Sequence, residues 1–358
     1  MKDLTEFKGE VIRDLQLLCK KQNSEGSFTA GKNGPYGDQE TPVRNTAHLL
    51  FAFCKAFEDT GDEIFKETAS RALDYILNCQ HKLNNGAYHC RISETKDATN
   101  GVIGNAWVIE ALSKAYRTLS RDDALDEAFK LWRLHEFDYD LGIWAKPTVG
   151  SKRVFDNTFN HQLWFAACIS GLSNEESKKQ IERFLALNLS RVELYNDGVI
   201  YHKSFLGSYK NWVKYDIRLG VRKFLSKIKY FEYKKNFRLK SVGYHAFNLY
   251  AMAMLAENGY KDYIKSLIDI PKLLAAAESD SFLKELESVE NIGLAYNLSG
   301  AELAYSYKVF YPEEATIVKW LEYQQSRTGY VSGFIFKNSP DSPTSDARLY
   351  ELTRIFSG

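Results

Sequence analysis

Apolar residues recur along this chain at helical spacing. Leu15, Leu17, Leu18 and Cys19, then Leu49, Leu50, Phe53 and Phe57, then Trp107, Ile109, Leu112 and Tyr116 each mark a buried helical face. Continuous alternation of the β type is almost absent, so the pattern predicts two kinds of helix. One kind is apolar nearly all round and opens on polar chemistry. Six such openings lie near Arg44-Asn45-Thr46-Ala47-His48, Gly104-Asn105-Ala106-Trp107, Asn160-His161-Gln162-Leu163-Trp164, Gly243-Tyr244-His245-Ala246-Phe247, Ser299-Gly300-Ala301-Glu302-Leu303 and Ser345-Asp346-Ala347-Arg348-Leu349-Tyr350-Glu351. The other kind is amphipathic and charged, as at Ile64 to Asn78, Arg121 to Leu134 and Ser173 to Leu187, and reads as solvent-facing.

Short polar turns separate these helices. Gly26, Gly86, Gly142 and Gly198 each sit in such a turn beside an apolar or aromatic residue, at intervals of 60, 56 and 56 residues. A period of that length fits two helices and two loops per unit. Six apolar helices alternating with amphipathic ones predict an all-α fold, an inner ring wrapped by an outer ring in an (α/α)6 toroid; the helical alternative is an open solenoid. In a toroid the inner helices all start at one end, so their polar openings line one cleft. The expectation is one toroid domain over 1–358, with an insertion at about 203–240.

That insertion carries Lys203, Lys210, Lys214, Arg218, Arg222, Lys223, Lys227, Lys229, Lys234, Lys235, Arg238 and Lys240 against Asp216 and Glu232, with tyrosines interleaved. It is either a solvated face or an electropositive lip that recruits a polyanion. No nucleic-acid motif accompanies it. Elsewhere the composition is ordinary: 44% hydrophobic, 26% charged and a formal net charge of +1, so any affinity for acidic partners is local. Aromatic content of 14% serves either a carbohydrate cleft or a helical core. Five scattered cysteines argue against a disulfide framework. Cys79, His81, His89 and Cys90 lack a standard metal spacing, and no metal or cofactor is expected. The sequence as given opens without an apolar leader and contains no run of eighteen apolar residues, which reads as a soluble, cytoplasmic protein without a membrane span. Oligomeric state is not legible.

Asn160-His161-x-x-Trp164, followed by Tyr244-His245 at the next inner-helix opening, resembles the alginate lyase family of toroid polysaccharide lyases. The resemblance covers two short segments and departs from the family's second motif at Ala246-Phe247. It implies β-elimination on a uronic acid polymer or oligosaccharide. Asn160 and His161 would neutralise the uronate carboxylate, and Tyr244 would remove the C5 proton and pass one to the leaving oxygen. A phenol ordinarily titrates at about 10, so the base role needs positive charge nearby, for which Arg238 and Lys240 are candidates. Further substrate contacts are expected from the other openings: Arg44, Asn45, His48, Asn105, Trp107, Trp164, His245, Arg348 and Tyr350.

Other readings stay open. Asn160 also suits a helix N-cap, His161 a packed histidine and Tyr244 a core aromatic. A glycoside hydrolase needs two carboxylates across the cleft, and Asp38, Glu40, Asp156, Glu302, Asp346 and Glu351 are candidates. A uronate epimerase shares the lyase's first step, and sugar 2-epimerases on toroids use paired histidines, for which His48, His161 and His245 qualify. A glycan-binding toroid without chemistry is the non-enzymatic alternative.

Overall fold

The computed structural model describes residues 2–147, 153–215, 217, 221, 234–288, 296–329 and 333–356. Its elements run α1 (Leu4–Cys19), α2 (Val43–Thr60), α3 (Glu63–Asn78), α4 (Ile103–Leu119), α5 (Asp122–Arg133), α6 (Phe159–Ile169), α7 (Glu175–Leu187), α8 (Tyr209–Tyr215), α9 (Arg238–Gly243), α10 (His245–Leu255), α11 (Lys261–Leu267), α12 (Ile270–Glu278), α13 (Asp280–Leu286), α14 (Ser299–Phe310), α15 (Glu314–Ser326) and α16 (Ser342–Ala347), which passes into a 3-10 segment, Arg348–Arg354. Helices α2, α4, α6, α10, α14 and the final 3-10 segment pack each against the next, and the last packs back on α2. The ring is closed. Helices α1, α3, α5, α7, α11 with α12, and α15 form the outer layer, and α1 meets α15 where the two chain ends come together. This is the (α/α)6 toroid that the alternation of helix types predicts.

Burial explains the two helix types. Every residue of α10 is buried, as are all but one in α6, because an inner helix touches two ring neighbours and the outer layer at once. Helix α3 buries only the stripe Phe65, Thr68, Ala69, Ala72, Leu73 and Ile76. Exposed outer-helix starts are capped locally: the Asp3 carboxylate accepts the Glu6 N–H in a reciprocal capping box, and Asp62 and Asn174 accept from N–H groups two residues on. Most of the aromatic content is core. Trp144, Trp164, Trp212 and Trp320 are fully buried.

The four glycine turns have one construction. Gly26, Gly86, Gly142 and Gly198 all take positive φ, between 67° and 97°, which lets the chain double back in two residues. The N–H two residues later is then accepted by a side chain in the first turn of the following inner helix. Phe28 N–H donates to Thr46 Oγ1 (3.0 Å), Tyr88 to Asn105 Oδ1 (3.0 Å), Trp144 to Gln162 Oε1 (2.9 Å) and Ile200 to His245 Nδ1 (3.1 Å). Two positions beyond each acceptor stands a ring facing the toroid axis: His48, Trp107, Trp164 and Phe247. These contact in sequence, with centroids 5.0 Å, 6.4 Å and 4.4 Å apart, and form an aromatic collar. In the third unit the turn is a short antiparallel pair, β1 (Phe137–Asp138) with β2 (Ile143–Trp144), Phe137 opposite Trp144.

Of the basic insertion, residues 216, 218–220 and 222–233 lie outside the described residues, and with them Arg218, Arg222, Lys223, Lys227 and Lys229. No helix among the described residues is long and apolar enough to cross a membrane.

Candidate active site

At the end of the ring where the inner helices start lies a cleft of about 220 Å³. Asn160, His161, Tyr244, Trp107 and Asp38 line it, joined by Asn33, Tyr36, Arg91, Lys96, His202, Lys203, Lys240, Phe247 and Tyr296. Helix α6 begins after Thr158, so Asn160 is not its cap; the Asn160 side-chain oxygen is buried without a partner among the described residues.

His161 is partly exposed to the cleft, and its Nδ1 lies 2.7 Å from Asp156 Oδ2. The loop that carries Asp156 anchors both carboxylate oxygens: Val102 N–H donates to Oδ2 (3.1 Å) and Thr158 N–H to Oδ1 (3.0 Å). Burial by itself would raise this carboxyl, but the adjacent His161 imidazole and Lys146 outweigh it and hold Asp156 well below the ordinary carboxylate range. An ionised Asp156 keeps a proton on Nδ1 and leaves Nε2, which makes no hydrogen bond among the described residues, as the exchangeable nitrogen. Gly101 makes the approach possible. A Cβ there would lie 1.8 Å from Asp156 Oδ2 and 2.8 Å from His161 Nδ1, and its φ of +69° is left-handed.

Tyr244 is 7% exposed, and its hydroxyl meets that of Tyr36 at 2.7 Å. Burial pushes Tyr36 up to about 12 and Tyr244 well above its ordinary value, the latter also through the Tyr36 and Tyr296 hydroxyls. Both are therefore protonated donors, and the phenolate needed for a Tyr244 base is disfavoured. The Lys240 ammonium lies over both rings, 5.2 Å and 5.9 Å from their centroids. Neither Lys240 nor Lys203 forms an ion pair among the described residues, and burial together with Lys203 and Lys96 lowers the Lys240 pKa. His202 packs on Tyr244 (4.8 Å), its Nδ1 without a partner among the described residues; burial, Lys240 and Lys203 hold its pKa well below the ordinary imidazole value. Asp38 is held ionised: burial raises it, but Lys96, Asn33 and Arg91 lower it further.

Other expected contacts lie elsewhere. Arg238 is spent on Asp197 (2.6 Å) and Glu285 (2.6 Å) and stacks on Tyr195 (4.8 Å), so it provides no charge to Tyr244. His245 and Asn105 are turn acceptors. Since Ile200 N–H donates to His245 Nδ1, its Nε2 carries the proton and donates to the Leu273 carbonyl (2.8 Å); burial lowers the ring pKa to about 4. Asn45 donates to the Thr29 carbonyl (2.9 Å). Arg44 stands behind the cleft wall, bonded to Asn33, Glu40 and Tyr296. His48 and Trp164 belong to the collar, His48 stacked on Tyr350 at 4.2 Å. Arg348 sits between the fully buried Glu302 (2.8 Å) and Glu351 (2.6 Å), and Asp346 accepts from Lys21 (2.7 Å); none of these lines the cleft. Near the cysteine pairs, His89 bonds the Arg91 carbonyl and Cys90 the Tyr88 carbonyl.

Sequence reading missed the pairing of Asp156 with His161 and the roles of Tyr36, His202 and Lys203. The only signals were the Pro35-Tyr36-Gly37 turn and an Asp five residues ahead of a helix-opening His.

The fold is that of toroid proteins known from solved structures. A cellobiose 2-epimerase of Bacillus thermoamylovorans matches with a TM-score of 0.63 at 13% identity, over 97% of this chain and 98% of that one. An α-1,6-mannanase of Salegentibacter, an inactive variant in complex with α-1,6-mannotriose, matches with a TM-score of 0.56 at 13% identity, over 97% and 98%. No protein-family model matches. Over 349 residues the chain is 34% identical to archaeal glycosylation protein Q of Haloferax volcanii, covering 93% of each. The chain belongs to the family of that glycosylation protein.

Proposed function

We propose that the protein is a sugar-processing enzyme that moves a proton at the carbon next to the carboxylate of an acidic saccharide, an epimerase-class reaction within glycan assembly. The observation that carries this is the Asp156-backed imidazole of His161, whose Nε2 is unengaged and whose cleft lysines Lys203 and Lys240 lack carboxylate partners among the described residues. In the reaction, Nε2 takes the C–H proton. The electron pair moves into the carboxylate, whose growing charge Lys240 and Lys203 stabilise. Tyr244, paired with Tyr36, delivers a proton to the opposite face and takes one back from solvent through the Tyr36 hydroxyl, so its phenolate is only transient, and the original proton leaves from His161 to solvent. The name of the family relative supports a glycan context, and the shared fold with sugar epimerases fits.

Hydrolysis by paired carboxylates fits less well. Asp38, which lines the cleft, and Asp156, buried behind His161, are both held ionised, so neither is the protonated acid that the reaction needs. The mannanase variants lose activity with two consecutive aspartates replaced; the consecutive pair here, Asp122-Asp123, lies in the first turn of the outer helix α5, where Asp123 pairs with Arg121. β-Elimination, the outcome implied by the lyase resemblance, is the second reading. It shares the proton removal and sends the phenol proton to a leaving oxygen instead. The role of base then falls to His161 rather than Tyr244.

Incubation of uronate-containing oligosaccharides in deuterated water, followed by proton NMR, tests the proposal. Loss of the proton next to the carboxylate with inversion supports the epimerase, and a new vinyl proton supports elimination. New reducing ends without deuterium incorporation would overturn both.

A further inference from the structure

The opposite end of the ring, where the inner helices finish, holds a second cleft of about 180 Å³. Helix α4 gives it Ser113, Lys114 and Arg117, α2 gives Lys55, and the final 3-10 segment gives Arg354. Ser113 is 1% exposed, and its hydroxyl has no hydrogen-bond partner among the described residues. A buried hydroxyl without a partner is destabilising, so its presence on the cleft wall calls for a ligand or solvent atom. Arg117, one helical turn further along the same face, donates to the Gly171 carbonyl (2.9 Å) and forms no ion pair among the described residues.

Charge at this mouth is unbalanced. Lys55 and Lys114 share one carboxylate, Glu58, at 3.5 Å and 2.5 Å, Arg354 pairs with Glu110, and the Glu257 carboxylate accepts from Tyr305. Four cations thus stand against three acids. Helix dipoles favour cations near helix C-termini, but only within the last turn. That accounts for Arg117, in the last turn of α4, whereas Lys55 and Lys114 lie further inside their helices and share the single carboxylate of Glu58.

We propose that this second mouth binds a small oxyanion, the phosphate or carboxylate of a sugar-sized molecule, held by the Ser113 hydroxyl, Lys114 and Arg117. The site is independent of the chemistry assigned to the first cleft. A ligand oxygen would accept a hydrogen bond from the Ser113 hydroxyl, and the anionic charge would offset the burial that lowers the Lys114 pKa despite Glu58.

Calorimetric titration of the full chain with sodium phosphate, with sodium glucuronate and with neutral glucose, at ionic strength fixed with chloride, tests this. Saturable binding of phosphate or glucuronate but not glucose is expected. The tighter of the two anions names the group that the site takes. Arg117→Gln, which leaves no buried partner behind, should weaken binding about tenfold with an unchanged melting temperature, and Ser113→Ala several-fold with a melting temperature, without added anion, at or above that of the parent. Lys240→Met, in the other cleft, should leave this binding intact. Absence of saturation overturns the proposal, as does equal affinity in Arg117→Gln or loss of binding in Lys240→Met.

Discussion

Asp156→Asn is the change whose consequences the geometry defines most closely. It keeps the shape of the side chain and removes the charge behind His161. The carboxylate accepts three bonds: His161 Nδ1 and Val102 N–H at Oδ2, and Thr158 N–H at Oδ1. An amide has one acceptor oxygen. If that oxygen stands at the Oδ2 position, the NH2 confronts the Thr158 N–H. If it stands at the Oδ1 position, the NH2 confronts the Val102 N–H and obliges Nδ1 to accept, which moves the ring proton to Nε2 and blocks it as a base. Either arrangement leaves at least one buried donor unpaired, a cost of about 1–3 kcal/mol in stability, and the protein should still fold.

The activity should suffer far more than the fold. Loss of a general base, or of its correct tautomer, typically lowers the rate by about 10²–10⁴-fold. The assay is the rate of deuterium incorporation next to the carboxylate, read beside nitrogen NMR of the imidazole to identify its tautomer. There is also an acid signature. Asp156 has a folded pKa below its unfolded one, so the stability it contributes is in place above about pH 4 and is lost as pH falls toward the folded value. The Asn variant should lack that part of the acid limb. Exchange within about threefold of the parent protein, with the tautomer changed as described, would refute His161 as the base.

Three further outcomes follow from the same geometry. Lys240→Met should raise KM for an acidic saccharide by about 10–100-fold, the worth of a charge-assisted bond, while leaving binding of a neutral analogue unchanged; steady-state kinetics on both ligands checks it. Gly101→Ala should displace the Asp156–His161 pair, because the new Cβ would overlap Asp156 Oδ2, and exchange activity should fall with a smaller change in melting temperature. Glu351 is buried beside Glu302 with Arg348 as shared partner, and its pKa is pushed up by that burial. Its folded pKa thus lies above the unfolded one, so the folded state binds more protons and stability falls as pH rises from the ordinary carboxylate range to neutrality. Glu351→Gln should flatten that decline in a melting-temperature profile from about pH 5 to 8.

The helices were legible because burial imposes periodicity: the predicted openings near Arg44, Gly104, Asn160 and Ser299 fall within a residue of the observed starts of α2, α4, α6 and α14. The site was only half legible, and the reason is register. In each of the first four units the acceptor for the glycine turn is Thr46, Asn105, Gln162 or His245, and two residues later comes a collar ring. The acceptor looks like site chemistry in sequence, since an Asn or His at a helix start suits a ligand as well as a backbone N–H. Asn105 and His245 were misread for that reason. Counting back from the acceptor, the two preceding positions are Arg44-Asn45, Ile103-Gly104, Asn160-His161 and Gly243-Tyr244, and Ile103, Asn160, His161 and Tyr244 from this set all line the cleft. His161 and Tyr244 thus hold the same place on α6 and at the start of α10, neighbours in the ring, which brings an imidazole and a phenol to one cavity although 83 residues separate them. What periodicity could not supply was the partner of each. Asp156 and Tyr36 arrive on loops, where no repeat constrains the residue, and on the proposed reading they make the imidazole the base and the phenol the acid.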